Sequence, residues 1–204
     1  MTRRAHRTWA AAMCALALAT GAGAGAAVAA PSGGGPAPVP RVELDRYLGT
    51  WHQLAAVPAP FNLVCARDTT ARYSATDDGE VSVRNSCTTW AGTPNTITGR
   101  ATVLDRETGA QLRVRFPGVP NWDQSEKVPN YIVVGLDPDY AWAVVTDPSR
   151  RSGFVLARTP ALERADWTAV RAAIAAAGQS DCTYFTSPAT GGLSGIAPLC
   201  TTPR

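Results

Sequence analysis

Ala71-Arg72-Tyr73-Ser74-Ala75-Thr76-Asp77-Asp78-Gly79-Glu80-Val81-Ser82-Val83-Arg84-Asn85 decides the fold class. On both sides of Asp77-Asp78-Gly79 the residues alternate, with Ala71, Tyr73 and Val83 on one face and Arg72 and Arg84 on the other. A period of two is the signature of a half-buried strand, and Asp-Gly supplies the backbone freedom that a tight hairpin requires. Outward from this hairpin the pattern recurs about every ten residues. Strands are expected at 50–57, 68–75, 80–86, 95–104, 111–116, 130–136, 140–146 and 153–158. Turn signals separate them: Pro58-Ala59-Pro60, the segment from Asp105 to Gly109, Asp137-Pro138-Asp139 and Asp147-Pro148. Eight strands joined mostly by hairpin-length loops predict an all-β, up-and-down antiparallel barrel, because closure removes both exposed edges.

After Thr159-Pro160 the period changes to that of a helix. Trp167, Val170, Ile174 and Ala177 recur at helical spacing in an alanine-rich stretch that stops at Gly178. One C-terminal amphipathic helix is expected to pack on the outside of the barrel. The stretch from Cys182 to Phe185 can add a short strand.

The first 29 residues are excluded from the fold. Arg3, Arg4 and Arg7 precede an apolar run from Trp9 to Leu18 and then small residues, the pattern of an export signal cleaved after Ala29. The run is too short for a membrane span, which needs about 20 residues. Residues 30–42, rich in Gly and Pro, are expected to be a disordered linker. Residues 43–187 form one domain of barrel plus helix, and 188–204 a tail tethered by a disulfide.

The formal charge of +3 comes from 19 basic against 16 acidic residues, and it vanishes when the three signal arginines are removed. A neutral domain lacks the basic footprint of nucleic-acid binding. Neither a nucleic-acid partner nor stable membrane insertion is expected, and the protein is expected to be a secreted, extracellular monomer. Four cysteines remain after the signal: Cys65, Cys87, Cys182 and Cys200. In an oxidising compartment they are expected to form two disulfides. Three pairings are open, and loop-closure entropy favours Cys65 with Cys87 and Cys182 with Cys200. No metal site is expected, because no C-x-x-C knuckle or accompanying histidine is present.

Tyr47-Leu48-Gly49-Thr50-Trp51 resembles the G-x-W signature that opens the first strand of lipocalins. In order behind it, Asp137-Pro138-Asp139-Tyr140 resembles that family's T-D-Y turn between strands six and seven. Phe154-Val155-Leu156-Ala157-Arg158-Thr159-Pro160 resembles its strand-eight arginine segment. The likeness is nearest to the bacterial lipocalin and apolipoprotein D branch. Leu136 stands where threonine is usual, and Pro138-Asp139 lengthens the turn. The resemblance implies a calyx that carries a small hydrophobic ligand such as a lipid or isoprenoid, with no cofactor. Gly49, Trp51, Asp137, Tyr140 and Arg158 are its structural signature. Trp51 is expected to floor the closed end, with Arg158 across its indole face.

With Trp51 inward, alternation carries the inner face around the barrel. The expected ligand-binding lining is Gln53, Ala71, Tyr73, Val83, Asn85, Leu112, Val114, Phe116, Tyr131, Val133, Val145 and Phe154. Ala55, Ile97, Gly99, Ala101, Ala143 and Leu156 extend the same face. Its small residues are expected to leave an open lumen. Gln53, Asn85, Tyr73 and Tyr131 can orient a polar head, or simply bond one another. A ligand burying about 300 Å² of apolar surface would gain roughly 7–8 kcal/mol, before association costs of several kcal/mol. The entrance is expected between the loop from Pro58 to Arg67 and the loop from Pro117 to Pro129, with Trp122 a candidate lid residue.

Two other readings compete. A lipocalin-type enzyme acting within the calyx finds little support, because His52 is the sole histidine of the mature chain, points outward and completes no catalytic triad. A filled barrel serving as a protein-interaction module would show a dry, packed interior and an exposed apolar patch at the entrance.

Overall fold

The computed structural model describes residues 34–119 and 125–202. The export signal and Trp122 lie outside the described residues. A short helix α1 (Leu44–Tyr47) leads into β1 (Gly49–Ala56), followed by β2 (Cys65–Ala75), β3 (Val81–Thr89), β4 (Pro94–Val103) and β5 (Gln111–Arg115). Then come β6 (Tyr131–Leu136), β7 (Trp142–Thr146), β8 (Gly153–Ala157), α2 (Arg164–Ala176) and a two-residue β9 (Phe185–Thr186). Strands one to eight pair antiparallel in chain order, and β1 pairs with both β8 and β2, which closes the sheet into a barrel. The expected strands match these within a few residues, because each is bounded by residues that cannot continue a ladder.

The hydrophobic residues divide between two cores. The lumen holds Tyr47, Trp51, Tyr73, Val83, Leu112, Tyr131, Val133 and Val145 with their neighbours. A second core lies outside the barrel, where Val170 and Ile174 of α2 meet Trp142, Val144 and Val155. Alternation on β7 and β8 serves both cores at once, which is why these strands are apolar on both faces.

Simple alternation breaks on β1. The β1–β8 register shifts between Gln53 and Ala55, so Gln53 stands opposite Leu156 but Ala55 opposite Val155. Ala55 therefore joins Leu54 in the outer core and does not line the lumen as expected. The extra residue of a bulge reverses the facing of everything beyond it.

The expected linker is also corrected from Pro36 onward. Val39 N–H donates to the Val133 carbonyl at 2.8 Å and Val42 N–H to the Thr108 carbonyl at 2.6 Å. Val42 is buried and Val39 packs against the lumen core. Two valines among the glycines and prolines are enough to seat the segment against the closed end.

The helix approaches the sheet where β6 has no side chain. A Cβ built on Gly135 would lie 2.5 Å from the Ala173 Cβ. Gly135→Val is therefore expected to push α2 outward and cost about 1–3 kcal/mol, as overpacking does, measurable by urea denaturation.

Both local disulfides form, Cys65–Cys87 between β2 and β3 and Cys182–Cys200 across the tail. The tail then crosses the strands it follows: Ser187 N–H donates to the Leu54 carbonyl on β1, and Asp68 N–H on β2 donates to the Pro188 carbonyl. The Asp68 carboxylate accepts from both Thr190 N–H and its hydroxyl.

Candidate functional site

The closed end is built from three sequence-distant pieces. Trp51 is fully buried, its indole N–H donates to the Tyr47 carbonyl at 2.8 Å, and its ring lies 4.8 Å from that of Tyr47. The Arg158 guanidinium lies over the indole, 3.8 Å from its centroid, and donates to the Thr50 and Arg46 carbonyls. Gly49 has a φ of +98°, and a Cβ there would come within 3.3 Å of an Arg158 nitrogen. The turn before β7 completes the seal. The Asp137 carboxylate accepts from the Asp139 and Ala141 N–H groups, and the Tyr140 hydroxyl accepts from Glu43 N–H. Arg46 lies over the Tyr140 ring at 4.1 Å. These contacts join α1, the β6–β7 turn and β8 into one plug.

Above the plug, three tyrosines span the lumen. The Tyr131 hydroxyl bonds that of Tyr47 at 2.9 Å and that of Tyr73 at 3.0 Å, and all three side chains are buried. Burial holds each phenol neutral: it raises Tyr73 to about 12 and pushes both Tyr47 and Tyr131 well above the usual phenol range. Negative charge on any one would further oppose ionisation of its neighbours. An unfolded tyrosine titrates near pH 10, so folding stability from this cluster is intact below pH 10 and declines as pH rises past it. Absorbance titration at 295 nm is expected to show these three phenols ionising only as the barrel unfolds. Replacing all three by phenylalanine is expected to remove their share of the alkaline loss.

Of the expected lining, Ala71, Tyr73, Val83, Leu112, Tyr131, Val133 and Val145 belong to the buried lumen core, with Val114, Phe116 and Phe154 packed partly exposed against it. Gln53 is buried and donates through Nε2 to the Ser187 hydroxyl at 2.8 Å. Asn85 Oδ1 is buried without a hydrogen-bond partner. None of these residues is charged. Arg72, Arg84 and Arg100 point outward, and Arg100 pairs there with Asp78 and Glu80.

The open lumen expected from the small residues is corrected. The space beside the plug, bordered by Leu44 and Leu48 together with Tyr47, Tyr73, Tyr131 and Leu112, measures about 20 Å³. That is room for one water-sized group, well below the several hundred Å³ usual for a small-molecule site. Gly99 shows why: a Cβ there would lie 2.6 Å from the Phe116 ring, which occupies the space that glycine leaves. Alternation assigns faces but not the reach of the side chain across the lumen.

The mouth also differs from expectation. The loop after β5 turns down the outside of the barrel in its described part, where Val128 accepts from the buried Arg113 and Glu126 pairs with Arg115. Asn130 bonds both the N–H and the carbonyl of Val114. The β3–β4 turn takes its place at the rim: the Trp90 indole N–H donates to the Leu63 carbonyl at 2.8 Å. Phe61 lies 6.3 Å from Phe154, centroid to centroid. Phe61, Leu63, Val64 and Trp90 are largely exposed. Trp90 was not among the expected site residues. Its signal was a tryptophan in a turn, Trp90-Ala91-Gly92, where a polar residue is usual.

The chain's similarities agree with this geometry. Residues 42–187 match the lipocalin-like domain. Temperature-induced lipocalin-1 of Arabidopsis thaliana is 33% identical over 124 residues, which are 60% of this chain and 66% of that protein. Outer membrane lipoprotein Blc of Escherichia coli K12 is 34% identical over 118 residues, 57% of this chain and 62% of that one. Apolipoprotein D of Bos taurus is 30% identical over 125 residues, 59% and 62% of the two chains. The matched region spans about two thirds or less of each relative. In fold, the structure is similar to lobster apocrustacyanin A1, with a TM-score of 0.55 at 15% identity over 71% of this chain and 78% of that one. Insecticyanin of the tobacco hornworm Manduca sexta gives a TM-score of 0.55 at 15% identity, over 79% and 92%. With a closed eight-stranded barrel, a tryptophan floor under an arginine and a domain match over most of the described chain, the protein belongs to the lipocalin family.

Proposed function

We propose that the protein is an exported carrier that binds a small hydrophobic molecule on the inner face of the barrel, without catalysis. The observation that carries this reading is the inner face itself: an uncharged wall from Trp51 upward, whose residues nearest the mouth, Ile97, Phe116 and Phe154, remain partly exposed. The ligand seat runs from the mouth, where Phe116 and Phe154 give way as the ligand enters, down the inner face to the tyrosine cluster. Gln53 and Asn85 supply polar contacts, the latter through an oxygen that has none in the protein. Similarity to outer membrane lipoprotein Blc and apolipoprotein D supports an extracellular location and a place in the bacterial and apolipoprotein D-like branch.

Titration with an apolar probe, followed through tryptophan fluorescence and native mass spectrometry, tests the reading. One probe per chain with micromolar affinity is expected. No binding of any apolar probe would overturn it.

The protein-interaction reading draws on one specific observation, the exposed apolar rim of Phe61, Leu63, Val64 and Trp90. Tight association through that rim, with the lumen never occupied, would favour it.

A further inference from the structure

The tyrosine cluster restricts the chemistry of the ligand. Three hydroxyls carry three protons, but Tyr47, Tyr131 and Tyr73 make two hydrogen bonds among themselves and no others among the described residues. However the protons are arranged, one O–H is left without an acceptor among the described residues. All three side chains are more than nine-tenths buried, and all three border the 20 Å³ space. A buried donor without a partner is costly, so the arrangement favours anything that brings an acceptor to it.

Electrostatics narrows which acceptor. Among the described residues the inner face carries no lysine, arginine or histidine, and Arg158 is held over the Trp51 ring by the Thr50 and Arg46 carbonyls. A carboxylate would therefore be desolvated with no cation to pair with. An amine would find no carboxylate, because Asp68 at the rim is engaged by Thr190. A hydrocarbon would leave the spare proton unsatisfied.

Resting on the carrier reading above, we infer that the preferred ligand is a neutral apolar molecule whose leading end is a carbonyl oxygen, such as a ketone, aldehyde or ester. That oxygen takes the uncommitted tyrosine proton. The 20 Å³ space admits a group of that size and no larger polar head.

The test uses three probes of one shape: 2-acetylnaphthalene, 2-ethylnaphthalene and 2-naphthoate, titrated against the full chain by tryptophan fluorescence. The ketone is expected to bind two- to tenfold more tightly than the hydrocarbon, the range of a net neutral hydrogen bond, and the carboxylate most weakly. Tyr73→Phe is expected to keep the ketone preference, because two hydroxyls sharing one bond still leave one proton over. The triple variant Tyr47→Phe, Tyr73→Phe, Tyr131→Phe is expected to reverse the order of ketone and hydrocarbon. Equal binding of ketone and hydrocarbon by the wild type, tightest binding of 2-naphthoate, or a ketone preference that survives the triple substitution would overturn the inference and leave the carrier reading standing. Failure of all three probes to bind would overturn the carrier reading instead. If the triple variant does not fold, the wild-type ranking decides.

Discussion

Trp51→Ala is expected to cost about 3–5 kcal/mol, the range for emptying a large aromatic site in a packed core. Four consequences coincide at this position. The fully buried indole disappears from the floor, the Tyr47 carbonyl loses its donor, Tyr47 loses a ring contact, and Arg158 loses the face it stacks on. The cation–π contact alone is worth roughly 0.5–2 kcal/mol. Against a typical domain stability of 5–15 kcal/mol, about a fifth or more of the folding free energy should vanish, lowering Tm by on the order of 10 °C. Trp51→Phe keeps an aromatic ring but loses the indole N–H and part of the bicyclic volume, so its cost should be smaller, about 1–3 kcal/mol. Urea denaturation of both variants checks the pair. Equal losses would mean that the ring is not the floor of the core.

Replacing Cys182 and Cys200 together by serine is expected to cost roughly 3 kcal/mol, from the loop-closure entropy of an 18-residue separation. The cross-link holds the outer core as well as constraining the unfolded chain. Tyr184 and Leu199 lie within the loop and are both fully buried, and Leu199 N–H donates to the Tyr184 carbonyl. The same loop carries Ser187 and Pro188, which bridge β1 and β2, and Ser187 is the partner of Gln53. Loss of the disulfide should therefore be felt at the mouth. Hydrogen exchange at the Ser187 and Thr190 amides should accelerate well beyond that of β7. Unchanged exchange at those two amides would mean that the tail holds its place without the cross-link.

Much of the fold could be read from the sequence because its informative signals are local. Alternation around Asp77-Asp78-Gly79 names both strands of a hairpin, and the change of period after Pro160 names the helix. Ala55 was misplaced because a bulge depends on the partner strand, and nothing in Gln53-Leu54-Ala55 announces one. Val39 and Val42 were missed because proline and glycine around them dominate the local reading, while their contacts on Val133 and Thr108 are distant in sequence. The inner face of the site was legible residue by residue, yet its fill was not. Gly99 looks like space until Phe116, just past the end of the neighbouring strand, is seen to lie in it. Tyr73 and Tyr131 were expected on one inner face and able to bond one another, but Tyr47 was not joined to them, because it precedes the first strand and its reach into the lumen depends on how α1 is seated.

Gln53 and Phe154 point to the same lesson for binding. A barrel whose interior is largely packed takes a ligand by exchanging side-chain contacts for ligand contacts, so the net gain is smaller than the full apolar area would give. Residues at the mouth then govern access more than residues at the floor.

The most direct test is native mass spectrometry of the wild type and of Ile97→Trp with 2-acetylnaphthalene. Ile97 stands on the inner side of β4 and is 36% exposed, so a larger ring narrows the mouth without crowding the core. One molecule per wild-type chain and at least fivefold weaker binding by Ile97→Trp are predicted. Equal binding by the two proteins would place the ligand elsewhere than the lumen and contradict the account.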